Sequence, residues 1–171
     1  MKAIVRTCWR ICLLKDGPQV FPHSWSLFAV VLVIYLGVDA AVLFAQGVRG
    51  LAVIPQTLCD TGLELIFFVV VLGIWHKLGR FNQTATALFG TGTIITLAAI
   101  PVSFAITLLP HSPIGYVAGV LVYGILAWSI LVMGHVTRHA LDTGLTIGIV
   151  IAAAYTLLNF ALFALFFPLK S

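Results

Sequence analysis

Long apolar stretches separated by short polar segments dominate the pattern of this chain. A helix that crosses a membrane needs about 20 mostly apolar residues. Five stretches approach or exceed that length: 25–46, 61–75, 84–109, 115–134 and 143–168. The strands of a membrane barrel would alternate apolar and polar residues, whereas these stretches are continuously apolar. The pattern therefore predicts an all-α fold, a polytopic membrane bundle of five transmembrane helices.

A basic and apolar pattern marks the N-terminus, ahead of the first stretch. Lys2, Arg6 and Arg10 recur every four residues and would form one stripe on a helix. The other side of that helix consists of apolar and Cys residues: Ile4, Val5, Cys8, Ile11 and Cys12. This pattern is typical of an amphipathic helix at a membrane interface, where each basic residue contributes about 1 kcal/mol with anionic lipid. The alternative is a helix that docks on a partner protein.

The segment that follows this helix marks the boundary between the N-terminal segment and the transmembrane domain. Asp16, Gly17 and Pro18 end the N-terminal helix, because a residue before proline is biased away from helical geometry. We therefore expect a cytoplasmic amphipathic segment over residues 1–22 and a five-helix transmembrane domain over residues 23–171.

The composition makes lipid the main solvent of this protein. The chain of 171 residues has 61% hydrophobic and 8% charged residues, with a mean hydropathy of +1.15. A soluble domain has roughly 45–50% apolar and 25% charged residues. A soluble enzyme, a nucleic-acid-binding protein and a disordered chain do not fit these values. We expect a multi-pass integral membrane protein with no nucleic-acid partner.

The distribution of basic residues predicts the orientation in the membrane. With the N-terminus inside, seven Lys and Arg residues fall in inner segments and two, Arg49 and Lys170, fall in outer segments. Cytoplasmic segments carry an excess of Lys and Arg. The N-terminus is therefore predicted to be cytoplasmic and the C-terminus outside, and lipids that are anionic on the cytoplasmic side are the expected partners.

Acidic residues inside the predicted spans are the main candidates for a functional site. Asp39 lies roughly 10 Å from the outer end of the first span and Glu64 roughly 6 Å into the second, at 1.5 Å per residue. Asp60 is one turn from Glu64, and Arg49 lies in the loop between the spans. Ionisable groups in a span are costly and are functional candidates by default. Together they form a predicted intramembrane polar cluster.

Two interpretations of this polar cluster remain open. It can handle protons or cations, or it can be a structural clasp in which Arg49 neutralises the carboxylates. The clasp is favoured, because a transport pathway needs polar groups that continue to the other face. Few sizeable polar side chains are available for that purpose: Tyr35, Tyr123, Tyr155 and Asn159.

Small residues and one proline predict how the helices pack. Gly115 and Gly119 are four residues apart, as are Gly144 and Gly148. Small residues at this spacing let membrane helices approach closely, so a compact bundle is expected, with self-association or membership of a larger complex as further expectations. Pro101 lies near the middle of the third span and is expected to kink that helix.

The histidines and the other polar residues do not predict a cofactor. His135 and His139 share a helix face, but a zinc site would need a third ligand such as His76 or Asp142. Histidines at the membrane interface are the favoured interpretation. No catalytic, cofactor-binding or metal-binding set is predicted, so we expect a protein that is not an enzyme.

Three short segments and the span pattern resemble a known family. These segments are KDGP at 15–18, GRFNQT at 79–84 and AIP at 99–101, and the fourth span is compatible over 128–140. The chain resembles small bacterial members of the Yip-type (Ypt-interacting protein) superfamily. The resemblance implies a five-helix membrane fold and, for a small bacterial member, a location in the bacterial inner membrane. Eukaryotic members of the superfamily are associated with Rab-type GTPases and vesicle traffic.

Three functional hypotheses follow. The first is a non-enzymatic membrane protein of Yip-like fold that acts through lipid and partner-protein contacts, in membrane organisation or in a trafficking-like role. The second is a small transporter or channel that uses Asp39 and Glu64. The third is an accessory subunit of a larger membrane complex.

Overall fold

The computed structural model describes residues 2–45, 48 and 50–166, and within these ranges it contains helices and no strand. Six α-helices follow one another along the chain: α1 (Lys2–Cys12), α2 (Trp25–Ala45), α3 (Val53–Ile74), α4 (Phe81–Leu108), α5 (Pro113–Leu141) and α6 (Leu145–Phe166). Helices α2 to α6 are long and apolar enough to cross a membrane. The predicted all-α class and the five long apolar helices are confirmed.

Two helices differ from the expected bounds by two turns or so at one end. Helix α3 begins at Val53 rather than at residue 61, because Pro55 falls in its first turn, where a missing N–H costs little. Glu64 therefore lies near the middle of α3, about 16 Å from its start at 1.5 Å per residue, rather than in the first turns of the helix as expected. Helix α5 continues to Leu141 rather than ending at residue 134.

Helix α4 is central to the bundle, and its buried threonine hydroxyls are hydrogen-bonded within the helix. It packs against α1, α2, α3 and α5, and every residue from 84 to 91 is buried. Thr84, Thr86 and Thr93 donate their hydroxyls to carbonyls one turn earlier in the same helix, at 2.7–2.9 Å. Internal bonding of this kind removes the cost of burying a hydroxyl. The helix also runs on through Pro101.

Helix α1 lies against the bundle through one side. Cys8, Ile11 and Cys12 are buried there, and the Trp128 indole donates to the Cys12 carbonyl at 3.0 Å. On the other side the basic residues are exposed: Lys2, Arg6 and Arg10. The buried side of α1 is therefore covered by α4 and α5, and the position of this helix at a membrane surface stays a prediction.

The segment after α1 fastens the N-terminal region to the end of α5. The His135 ring donates to the Asp16 carbonyl at 2.9 Å, and the Gln19 amide donates to the His139 carbonyl at 2.9 Å. Gly17 is required at this point, because a Cβ there would lie 2.9 Å from the His139 ring. These contacts tie residues 16–19 to the last two turns of α5.

Ion pairs join two loops at the same end of the bundle. Asp142 accepts from Lys77 at 2.8 Å and from Arg80 at 2.7 Å. These two cations hold the pKa of the Asp142 carboxyl at about 2, well below its usual value. Arg80 also donates to the carbonyls of His139 and Ala140 at 3.2 Å, which caps the end of α5.

One of the four glycines predicted to pack helices lies at a helix contact. A Cβ on Gly148 would collide with the Gly134 carbonyl oxygen, so α5 and α6 approach closely at this pair. Gly115 is instead packed against the Leu109 carbonyl in the loop before its own helix. A Cβ on Gly119 or Gly144 would meet no described atom within 4 Å. Self-association through these residues stays a prediction.

Candidate functional site

A cavity of about 230 Å³ is bordered by helices α2 to α6 and is partly open at the surface of the bundle. Its polar lining residues are Tyr35, Asp60, Glu64, Thr91, Thr96, Ser129, Tyr155, Thr156 and Asn159. One water occupies about 30 Å³ in the liquid, and pockets for drug-sized ligands span about 300–1,000 Å³. The cavity therefore suits several waters, an ion or a very small solute.

Asp60 is the most strongly hydrogen-bonded group of the cavity. The Tyr35 hydroxyl of α2 donates to one carboxylate oxygen at 3.0 Å. The Asn159 amide of α6 donates to the other oxygen at 2.6 Å. Each oxygen thus accepts from a neutral donor on a different helix, and these two bonds fix the orientation of the carboxylate.

Glu64 lies one helical turn after Asp60 on the same face of α3. Glu64 is 6% exposed, and its side chain borders the cavity. Asp60 and Asp39 are both close enough to interact electrostatically with it. The described residues provide no hydrogen bond to the Glu64 carboxylate, so its polar atoms are available to whatever occupies the cavity.

Asp39, the third acidic residue of the predicted polar cluster, does not border the cavity. It lies on α2 next to Thr57 of α3 and is not part of the cavity lining. It interacts electrostatically with Asp60 and Glu64, but no hydrogen bond links it to either in the described part of the chain. Arg49, the expected cationic partner, lies outside the described residues, so the clasp stays a prediction.

The lining contains acidic groups without a basic counterpart. Among the residues that border the cavity in the described ranges, two are acidic, Asp60 and Glu64, and none is Lys, Arg or His. The remaining walls are apolar or carry hydroxyl and amide groups. Such a lining favours positively charged or proton-donating occupants over anions.

The sequence placed Tyr35, Tyr155 and Asn159 at membrane depth without joining them to Asp60. The spacing within α6 does predict that Tyr155 and Asn159 lie together, because residues four apart share a helix face. The Asn159 amide lies 3.5 Å from the Tyr155 hydroxyl. That this face meets Asp60 depends on the packing of α6 against α3, which spacing within one helix does not determine.

The histidine pair at the end of α5 makes protein contacts. His135 and His139 have ring centroids 4.7 Å apart in an edge-to-face arrangement. His135 is 2% exposed and bonds to the Asp16 carbonyl. Across residues 2–45, 48 and 50–166, no three His, Cys, Asp or Glu side chains gather closely enough to hold a metal ion.

Comparison of the chain with family models, with curated proteins and with solved structures gives no match.

Proposed function

We propose that this integral membrane protein is a small transporter or channel that binds a proton or an alkali-metal ion in the acidic cavity between helices α2 to α6. Asp60 and Glu64 are the binding residues. The observation that carries the proposal is that both carboxylates border one cavity whose described lining contains no basic side chain. The substrate is therefore a small cation.

Asp60 and Glu64 are two carboxylates one helical turn apart on α3. Removing an ionised carboxylate from water is costly, and a second negative charge nearby raises that cost. A proton on one carboxylate, or a cation between the two, relieves both penalties. Burial of this kind inside a membrane protein is expensive and is typical of ion and proton pathways.

The two carboxylates have different tasks in this proposal. Asp60 is held by Tyr35 and Asn159 and provides a fixed, oriented ligand. Glu64, which has no described hydrogen bond, takes up the proton or completes the coordination of the metal ion. Because Tyr35, Glu64 and Asn159 belong to α2, α3 and α6, occupancy of the site links three helices.

Ligand-dependent thermal stability of the purified protein in mild detergent tests the binding step. A ligand that binds only the folded state stabilises it by about 2.7 kcal/mol at 100 times its Kd. Sodium, potassium and choline chlorides are compared at fixed ionic strength and pH, and a pH series at fixed salt provides the proton arm. We expect stabilisation by one alkali-metal ion or by protons and none by choline.

Matched variants separate binding at this site from general salt effects. Glu64→Gln and Asp60→Asn are expected to remove the ligand-dependent stabilisation. Asp39→Asn is the control, since Asp39 lies near both acids but outside the cavity lining. A wild-type protein insensitive to all three salts and to pH would overturn the proposal. So would a Glu64→Gln protein with unchanged ligand dependence.

A second proposal retains the Yip-like interpretation, a non-enzymatic role through lipid and partner-protein contacts, including that of an accessory subunit. The exposed position of Lys2 and Arg6 on α1 supports it. Co-purification from mild detergent compares the wild type with a protein that carries both Lys2→Gln and Arg6→Gln. A partner lost from the double variant supports this role, and equal recovery of every partner contradicts it.

The proposed orientation has a cytoplasmic N-terminus and an outer C-terminus in a bacterial inner membrane. The excess of basic residues in the segments assigned to the inside supports it. A reporter fused after the last residue tests it: activity of an external reporter is expected, and cytoplasmic behaviour of the fusion would contradict the orientation.

A further inference from the structure

The acidic cavity also has an apolar wall, which comes from helices α4 and α5. Five apolar side chains of these two helices border it: Leu88, Ile95, Leu126, Val132 and Met133. Among the described residues of the lining, α4 and α5 contribute no acidic and no basic side chain. The charged and the apolar parts of the lining therefore belong to different helices.

The charged part of the lining belongs to α3. Asp60 and Glu64 both border the cavity, and Asp60 already accepts hydrogen bonds from Tyr35 and Asn159. Glu64 is 6% exposed, and its carboxylate accepts no hydrogen bond from the described residues. A buried carboxylate that borders a cavity without a donor is an available acceptor for an N–H group of a ligand.

The cavity is larger and more apolar than a metal ion requires. At about 30 Å³ per water, its volume of about 230 Å³ takes roughly seven waters or a solute with a similar number of heavy atoms. Water that filled the space around a metal ion would also touch the apolar wall, and such contact is unfavourable. A mostly apolar lining with a few polar groups that fix orientation is typical of sites for organic ligands.

We propose that the cavity also binds an amphiphilic organic cation, a primary alkylammonium ion with a short alkyl chain. Its ammonium group donates N–H hydrogen bonds to the carboxylates of Asp60 and Glu64, and bonds between two charged groups are the strong ones. Its alkyl chain lies against the apolar side chains of α4 and α5. The alkylammonium site rests on the cation binding by Asp60 and Glu64 proposed above and adds the class of organic substrate.

The dependence of affinity on alkyl-chain length tests this site. The purified full-length protein in mild detergent is titrated with methylammonium, n-butylammonium or choline chloride at fixed pH and ionic strength. The ligand-dependent rise in thermal stability gives each Kd. Each buried methylene group strengthens binding about fourfold, so we expect n-butylammonium to bind at least about tenfold more tightly than methylammonium. Choline has no N–H group and n-butanol has no charge, so neither is expected to stabilise the protein.

Two kinds of variant separate the ammonium contact from the alkyl contact. Glu64→Gln is expected to remove the stabilisation by both amines. Leu126→Trp narrows the apolar part of the cavity and is expected to abolish the preference for n-butylammonium over methylammonium. Leu131→Trp is the matched control, because Leu131 is 40% exposed on the same helix and does not border the cavity. Should Leu126→Trp fail to give a monodisperse protein, Ile95→Phe on α4 replaces it.

The outcomes distinguish the alkylammonium site from the simpler cation site. A wild type that protons, sodium or potassium stabilise, but that binds n-butylammonium no more tightly than methylammonium, would overturn the alkylammonium site alone. Stabilisation by none of these cations would overturn both proposals. An equal preference for n-butylammonium in Leu126→Trp and Leu131→Trp would contradict the place of the alkyl chain, and unchanged amine binding by Glu64→Gln would contradict the ammonium contact.

Discussion

The Asn159 side chain donates to the Asp60 carboxylate at 2.6 Å and thereby joins α6 to α3 across 99 residues of sequence. The second oxygen of the same carboxylate accepts from Tyr35 of α2 at 3.0 Å. Because a hydrogen bond to a charged group contributes more than one between neutral groups, this arrangement both stabilises the bundle and orients a group of the proposed cation site.

Asn159→Leu is expected to destabilise the protein, because it leaves one oxygen of a partly buried carboxylate without its donor. Loss of a hydrogen bond to a charged group costs about 1.5–3 kcal/mol. Unfolding in mild detergent measures the difference. Thr156→Val is the control: Thr156 also borders the cavity from α6, but its hydroxyl donates to Ala152 of its own helix. Equal losses for the two variants would contradict the assigned role of Asn159.

Gly148→Ala is expected to force α5 and α6 apart, because the added methyl group meets the Gly134 carbonyl. Overpacking of this kind costs about 1–3 kcal/mol. Gly119→Ala is the matched control in a helix, since its methyl group would meet no described atom within 4 Å. Thermal unfolding of both variants measures the effect. A Gly148→Ala protein as stable as Gly119→Ala would show that the close approach is not maintained.

The thiols of α1 are expected to react slowly with maleimide. Burial raises the pKa of the Cys8 thiol to about 11 and that of Cys12 to about 12, and the thiolate is the reactive form. Single-cysteine proteins are compared with one carrying Arg6→Cys on the exposed side of the same helix, and mass spectrometry measures the labelling rates.

A substitution that pushes α1 away from α4 should make the Cys8 thiol more reactive. Gly90→Val is expected to accelerate the labelling of Cys8, because the new side chain occupies the space of its sulfur. Gly37→Val is the control, since a Cβ there meets nothing within 4 Å. Labelling of Cys8 in the wild type as fast as that of Arg6→Cys would contradict the packing of α1 on the bundle.

The Asp142 ion pairs are expected to make stability depend on acid pH. The folded-state pKa of Asp142, about 2, lies below its ordinary value of 3.8. The stabilisation is therefore fully present above about pH 4 and is lost as the pH falls towards 2. Asp142→Asn should lower the unfolding midpoint by a few degrees at most at pH 6, because exposed ion pairs contribute little.

The Asp142 ion pairs should lose their stabilising effect at low pH. The unfolding midpoints of the wild type and of Asp142→Asn should therefore become equal when the pH is lowered from 4 to 2 in matched salt. Thermal unfolding scans at each pH measure the difference. A difference that stays constant over this interval would show that the carboxylate is not the source of the stabilisation.

The sequence predicted the fold class well because a single physical requirement, about 20 apolar residues per span, decides it. It was wrong about the start of α3, which was expected at residue 61, because Pro55, Gln56 and Thr57 lie in the first turns of the helix. That shift moves Glu64 from the first turns to the middle of the helix.

The candidate site was predicted only in part, for a related reason. Asp60 and Glu64 share a face at helical spacing, and this can be identified from one helix alone. The donors to Asp60 come from α2 and α6, and their meeting depends on how the helices pack. Likewise, Gly148 was predicted but its partner Gly134 was not, because the approach of two helices is a relationship between distant segments.

Cation flux into liposomes tests the central claim of a cation site at Asp60 and Glu64 most directly. Protein is reconstituted into vesicles that contain a pH-sensitive, a sodium-sensitive or a potassium-sensitive dye, and a membrane potential is imposed. We expect the wild type to carry one of these cations, Glu64→Gln and Asp60→Asn to lose at least nine-tenths of the flux, and Asp39→Asn to retain it. A folded Glu64→Gln protein with wild-type flux, or a wild type that conducts no more than empty vesicles in all three dye assays, would contradict the account.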